Sequence, residues 1–328
     1  MAKTIAKIGV MTSGGDSPGM NAAIRAVVRA CAYYNIKCVG YYRGYEGIIE
    51  NDCIELTSRS VKNIINRGGT ILKSARSEEF RLFEGRQKAY ESLKSEGIDA
   101  LVLIGGDGTF TGGALFSKEF DLPVIGIPGT IDNDIYGTQF TIGYDTALNT
   151  VVEAVDKIRD TASSHNRLFF IEVMGRDAGF IALNSGVGAG AEEILIPEED
   201  QPLEKLLESL KRSKKNGKTS SIVVVAEGDK TGKNVFELAE YVKENLDDYS
   251  PRVTVLGHLQ RGGSPSCFDR VLASRLGVRA VELLLDGEQD VMVGIRNNEV
   301  VYTPIIEIMR CKNTINKELL RIADILSI

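Results

Sequence analysis

Residues 128–138, PGTIDNDIYGT, set Thr130, Asp132 and Asp134 directly after the apolar run LPVIGI, and no Lys or Arg occurs between Lys118 and Lys157. Two carboxylates at the mouth of a buried strand, without a local cation, suit a general base. A hydroxyl acceptor loses its proton as it meets a phosphoryl group, and a carboxylate within hydrogen-bond reach takes it. Asp132 and Asp134 both fit that role. The plainer use of Asp and Asn in such a stretch is an Asx-turn or a helix cap, but a Thr and two acids together after Pro-Gly favour chemistry.

Three further loops follow strand-like runs. TSGGDSPGMN, residues 12–21, leads into a helical pattern, so its amides and the helix N-terminus suit a phosphate. Gly14 and Gly19 have the G-x-x-x-x-G spacing, yet Met20-Asn21 replace the Lys-Ser or Lys-Thr of a Walker A loop. A simple strand-to-helix turn is the alternative. GGDGTFTGG, residues 105–113, is expected to be a glycine-rich loop that lets amides approach a diphosphate, with Asp107 holding Mg²⁺ through water. Similar strings occur in kinases of NAD and of lipids. GHLQRGGSP, residues 257–265, offers His258 and Arg261, with Arg as the bidentate partner for phosphate. Arg76, Arg167, Arg176 and Arg252 stand at comparable places, although a single Arg is most often a solvated surface charge. The run KRSKKNGK, residues 211–218, is by default a solvated helix end, with an anionic-effector contact as the alternative.

The elements that must hold these loops alternate. AKIGVMT, KCVGYY, DALVLIGG, LPVIGI, RLFFIEVMG, EEILIP, SSIVVVAEG and RVTVLGHL read as strands, several of them continuous Val/Ile-rich runs expected where both faces are covered. Helical patterns cover residues 21–33, 146–164, 202–214, 234–246 and 266–285, and IRNNEV reads as a hairpin turn. This order predicts an α/β fold with parallel sheets and ligands beyond the C-terminal strand ends. A chain of 328 residues suits two domains. A formal charge of -6 gives no support to nucleic-acid binding, and no run approaches a membrane span. The N-terminus lacks a signal-peptide pattern, and five scattered Cys without a C-x-x-C pair point to reduced thiols and a cytoplasmic protein.

In order along the chain, TSGGDSPGMNAAIR, INRGGTILKSAR, IGGDGTFTGG, PGTIDNDI, SSHNR, IEVMGRDAG, VVVAEG and VLGHLQRGGSP closely resemble the bacterial ATP-dependent 6-phosphofructokinases, from about residue 5 to about residue 310. The resemblance implies transfer of the γ-phosphoryl group of ATP to the 1-hydroxyl of fructose 6-phosphate, Mg²⁺, and a homotetramer with active sites shared between subunits. It implies two doubly wound α/β domains with the site between them: residues 1–143 plus 257–307 for ATP, and 144–256 plus 308–328 for the sugar phosphate. By matched position it implies that Gly14, Arg76, Ser77, Gly106, Asp107, Gly108 and Thr109 contact ATP and that Asp107 is the metal site. Asp132 matches the base, with Thr130, Asp134 and Arg176 supporting transfer. Arg167, Arg252, His258 and Arg261 match the grip on the sugar phosphate, Met174, Gly175 and Glu227 the sugar, and Arg167 and Arg252 are the ones that reach in from a neighbouring subunit.

Pyrophosphate-using relatives carry an acidic residue after GGD and a Lys before TID, whereas this chain has Gly108 and Gly129, which favours ATP. The family's effector cleft for ADP or phosphoenolpyruvate is matched by Arg25, Arg29, Arg159, Glu192 and Lys218, but Ser58, Asn216 and Thr219 depart from its cations, and phosphate binding weakens as cations are removed. A dinucleotide-binding oxidoreductase needs a complete G-x-G-x-x-G at a strand end, and none is present. A silent nucleotide sensor would have lost its metal or base residue, and both Asp107 and Asp132 remain.

Overall fold

The computed structural model describes residues 5–163, 167–200, 202–217, 221–246 and 249–327. From the N-terminus run β1 (Lys7–Thr12), α1 (Met20–Tyr33), β2 (Lys37–Tyr41), α2 (Tyr45–Glu50), β3 (Cys53–Leu56), α3 (Phe83–Ser95), β4 (Ala100–Gly105), α4 (Asp107–Phe120) and β5 (Val124–Pro128). Then come α5 (Tyr144–Ser163), β6 (Leu168–Val173), α6 (Phe180–Gly188), β7 (Glu193–Leu195), α7 (Leu203–Lys215), β8 (Ser221–Ala226), α8 (Val235–Asn245) and β9 (Pro251–Val255). The chain ends with α9 (Cys267–Leu285), β10 (Val291–Arg296), β11 (Glu299–Pro304), α10 (Ile305–Ile308) and α11 (Lys317–Leu326).

It divides into two compact units: residues through 131 with 135–146 and 261–313, and residues 132–134 with 147–260 and 314 onward. The first holds a seven-stranded sheet, β11-β10-β5-β4-β1-β2-β3, parallel except for β3 and β11 at its edges. The second holds a four-stranded parallel sheet, β7-β8-β6-β9. Every residue of β4, β5 and β8 is buried. This is why these strands read as unbroken apolar runs rather than as alternating ones.

The central strands of the first sheet feed two cores. Val102 and Ile104 of β4 join α1 and α9 on one face. Leu101 and Leu103 join Tyr45, Phe80, Phe110 and Phe116 on the other. Gly277 lets α9 press against α1, since a Cβ there would lie 2.6 Å from that of Ala26. The hairpin expected at IRNNEV forms between β10 and β11, with Asn297 and Asn298 both at positive φ. Such a turn matches the twist of its strands.

Residues 105–113, expected to be one loop, are a correction. Only Gly106 separates β4 from α4, which starts at Asp107 and carries Gly108, Gly112 and Gly113 inside it. Glycine disfavours helix, but here packing decides. A Cβ on Gly113 would sit 2.3 Å from Leu103 and one on Gly112 3.0 Å from the Tyr45 ring.

The start of α5 is tied to α9 by the fully buried Asp269. Its carboxylate accepts from Gly143 N–H (2.9 Å), Thr146 N–H (2.8 Å) and the Thr146 hydroxyl. Burial pushes its pKa up to about 6 against these three bonds, which act in the opposite direction. The ordinary value is about 4, so the native state binds the extra proton between pH 4 and 6 and stability falls as pH rises through that window, by about 3 kcal/mol. Asp269→Asn removes this term. Urea titrations at pH 4 and pH 6.5 are expected to show the variant gaining on the wild type by about that amount, whereas an equal gap at both pH values would refute the assignment.

Candidate active site

Three loops start side by side in the first unit because β1, β4 and β5 are adjacent and end level. Thr12 pairs with Ile104, and Gly105 with Pro128. The ladder continues past the strand ends: Ser13 N–H donates to Ile104 C=O (3.0 Å) and Gly129 N–H to Gly105 C=O (2.9 Å). In parallel sheets this C-terminal edge is where ligands bind.

Gly14, at φ +84, is exposed in the first loop. A Cβ on its neighbour Gly15 would lie 2.5 Å from the Arg261 guanidinium, and Arg261 donates to Asp16 C=O (3.2 Å). Arg261 thus lies over this loop. Asn21, standing where a phosphate loop has Ser or Thr, is buried and braces residues 67–71: its amide donates to Arg67 and Gly68 C=O and accepts from Ile71 N–H (2.7 Å).

At the second loop Gly106 is the N-cap of α4, and Asp107, Gly108 and Thr109 form its first turn. A helix of this length presents its first-turn amides and dipole to an anion. A Cβ on Gly106 or Gly108 would meet nothing within 4 Å, so the approach is open. Asp107 is exposed there, and among the described residues no group of three or more His, Cys, Asp or Glu could hold a metal unaided. One carboxylate that leaves most positions to phosphate oxygens and water suits Mg²⁺.

Ser77 is linked to this helix through an aromatic stack, and Arg76 precedes it in the chain. Tyr45 lies on Phe80 (ring centroids 3.8 Å apart) and donates its hydroxyl to Thr109 C=O (2.5 Å), while Phe80 N–H donates to Ser77 Oγ (3.2 Å). Burial pushes the Tyr45 pKa up and keeps it a donor. Arg86 adds a second tie, bidentate to Glu119 of α4 (2.6 and 2.7 Å) and donating to Phe80 and Arg81 C=O. The sequence reading missed Tyr45, Arg86 and Asn21.

In the third loop Thr130 and Asp132 are buried and Asp134 half-buried. Thr130 C=O accepts the Thr141 hydroxyl (2.6 Å), and Asn133 turns the chain at φ +54.

In the second unit, Met174, Gly175 and Arg176 follow β6. Glu227, just past β8, accepts from Gly175 N–H (3.3 Å) and Arg176 N–H (2.7 Å). Gly175 has φ +148 and Arg176 φ +57, with the Arg176 side chain exposed. His258 is exposed in a 3₁₀ turn, Gly257–Arg261, beyond β9. Arg167 and Arg252 are not brought to these residues. Arg167 precedes β6, and Arg252 pairs with Phe169 near the start of that strand. Both lie at the N-terminal edge of the sheet, a strand length of about 20 Å from Met174.

A family profile for phosphofructokinase matches residues 7–284. The chain belongs to the phosphofructokinase family. It is 54% identical over 325 residues, 99% of both chains, to a protein of Bacteroides thetaiotaomicron named ATP-dependent 6-phosphofructokinase 2. It is 55% identical over 322 residues, 98% of this chain and 99% of the other, to ATP-dependent 6-phosphofructokinase 1 of Thermus thermophilus. Among solved structures, phosphofructokinase of Saccharomyces cerevisiae superimposes with a TM-score of 0.89 at 38% identity, covering 93% of this chain and 45% of the yeast one. The family likeness drawn from the ordered motifs is borne out.

Of the residues matched to the family's effector cleft, Arg25 and Arg29 of α1 line a groove of about 390 Å³ with Tyr33, Val278 and Glu282, and burial together with Arg29 lowers the Arg25 pKa. Arg159 donates to Ala189 and Gly190 C=O (2.8 and 2.6 Å) and lies 3.7 Å from Glu192, which accepts from Ile222 N–H (2.6 Å). Lys218 and Thr219 lie outside the described residues.

Gly175 has no tolerance for a side chain, because a Cβ would stand 2.3 Å from Ala178 C=O, a main-chain atom that cannot swing away. Gly175→Ala is expected to destabilise the second unit by about 1–3 kcal/mol. Limited proteolysis and denaturant titration check this, and an unchanged midpoint would show that the loop relaxes freely.

Proposed function

We propose that the chain transfers the γ-phosphoryl group of ATP to the 1-hydroxyl of fructose 6-phosphate, giving fructose 1,6-bisphosphate and ADP, the committed step of glycolysis. The observation that carries the reading is the open first turn of α4 beside the end of β5: an anion cradle at Gly106–Asp107–Gly108–Thr109 next to the strand end that leads to Thr130. Support for ATP and for this sugar comes from the names of relatives 54–55% identical over nearly the whole chain.

In this reading the first unit binds the nucleotide through Gly14, Arg76, Ser77 and the first turn of α4. Mg²⁺, held through Asp107, would neutralise charge between the β- and γ-phosphates. Asp132 accepts the proton of the 1-hydroxyl as it attacks. Thr130 and Asp134 orient that hydroxyl and base, and Arg176 adds positive charge to the transferred group. A Lys beside Asp132 in sequence would pair with it and weaken it as a base. The second unit binds the sugar through Met174, Gly175 and Glu227 and its phosphate through His258, with Arg261 adjoining.

Arg167 and Arg252 complete the phosphate grip from a neighbouring copy in a homotetramer. Their position at the opposite edge of the sheet from Met174 supports that assignment. Five free thiols and no described helix able to cross a membrane fit the cytoplasm as the place of action. ADP or phosphoenolpyruvate would be held at Arg25, Arg29, Arg159, Glu192 and Lys218, with weakened affinity because Ser58, Asn216 and Thr219 remove cations.

Two measurements test it. In a coupled assay with Mg²⁺ and fructose 6-phosphate, ATP is expected to support turnover and pyrophosphate is not; turnover with pyrophosphate alone would overturn the donor. Asp132→Ser is expected to lower kcat by about 10²–10⁴-fold with both KM values nearly unchanged. A kcat within about threefold of wild type would move the base to another residue.

A further inference from the structure

We infer that Gln260 is a positioning residue for the sugar-phosphate site, a buried amide that carries the β6–β9 ladder past its end and so fixes the turn that bears His258. The inference rests on the sugar-site reading proposed above. Gln260 is fully buried, its Oε1 accepts from Met174 N–H (3.1 Å), and its Nε2 donates to Gly257 C=O (3.0 Å).

The ladder between β6 and β9 ends with Glu172 opposite Val255 and with Leu256 N–H donating to Glu172 C=O (3.0 Å). In a parallel ladder the next donor is Met174 N–H, whose partner would be the carbonyl of Leu256. The chain turns away instead, at Gly257 with φ +48. The side-chain oxygen of Gln260 takes the place of that carbonyl. Glu227 accepts from the next two amides, those of Gly175 and Arg176. Three consecutive amides of the β6 loop, residues 174–176, are therefore held by two side chains, Gln260 and Glu227.

The consequence for His258 follows from 3₁₀ geometry. Residues three apart share a face, so His258 and Arg261 project together while Gln260 points elsewhere. Anchoring Gln260 inward fixes the turn with His258 outward, and His258 is exposed. An amide supplies one acceptor and one donor on a group of this length that stays neutral at every pH. Met would leave Met174 N–H without this acceptor and would remove the side-chain donor to Gly257 C=O. Glu keeps both bonds when protonated, but when ionised it sets an acceptor against the Gly257 carbonyl in a buried position.

The test is steady-state kinetics of the full-length Gln260→Glu and Gln260→Met enzymes from pH 6 to pH 8.5, with Arg261→Ala as a control. Gln260→Glu is expected to match the wild-type KM for fructose 6-phosphate at pH 6 and to exceed it by about tenfold at pH 8.5, with KM for ATP unchanged. Gln260→Met is expected to show about the same tenfold rise at every pH. Should the Met variant not fold, the pH series of the Glu variant decides alone. A KM for the sugar phosphate that follows the wild-type profile in Gln260→Glu, or a KM for ATP that rises equally, would overturn the inference. If Arg261→Ala leaves the KM for fructose 6-phosphate unchanged, the sugar-phosphate reading of the turn itself fails, and the inference with it.

Discussion

Two main-chain hydrogen bonds beyond the ends of the strands, Ser13 N–H to Ile104 C=O and Gly129 N–H to Gly105 C=O, hold the first unit's site together. They keep β1, β4 and β5 ending at one level. A slip of one residue would turn every side chain of the slipped strand to the other face. It would also part the α4 cradle from the Thr130 loop. Packing reinforces the register. Gly126 of β5 leaves room for the Phe110 ring, since a Cβ there would lie 2.7 Å from it, and Gly113 does the same for Leu103 of β4. Phe110 directly follows Thr109, so the contact that seats α4 on the sheet also fixes its first turn.

The two units reach fixed loop geometry by different means. In the first, neighbouring strands supply backbone partners, and side chains such as Tyr45, Arg86 and Asn21 brace the outer segments. In the second, the sheet has only four strands and its ladder stops where the loops begin. There Gln260 and Glu227 replace the missing backbone acceptors. A buried polar side chain with both ends satisfied specifies one arrangement, because any other leaves a group unpaired in a poorly solvating interior.

What could be read from the sequence follows from this division. The buried strands were legible because parallel strands covered on both faces need unbroken apolar runs, as in ALVLIG and SIVVVA. The four loops were legible because glycines and polar residues gather where such runs stop. Helix α4 was not, because its glycines answer to Leu103 and Tyr45, which are distant in sequence. Gln260 was overlooked for a related reason. Between His258 and Arg261 a neutral residue draws no attention, and its value lies in Met174, 86 residues away. Glu227 was singled out only through family likeness, and its hold on two loop amides has no local sign.

The polarity of the second sheet constrains how a phosphate grip can be assembled. Met174, Glu227 and His258 all follow C-terminal strand ends, whereas Arg167 precedes β6 and Arg252 lies near the start of β9. No side chain bridges a strand length of about 20 Å, since even an extended Arg reaches only about a third of that. Within one copy these two cations cannot serve the loops at the other end of their own sheet. If they hold substrate phosphate at all, they hold that of another copy. A parallel sheet has one ligand edge, so cations placed at its other edge lie out of reach of the loops that follow its strands.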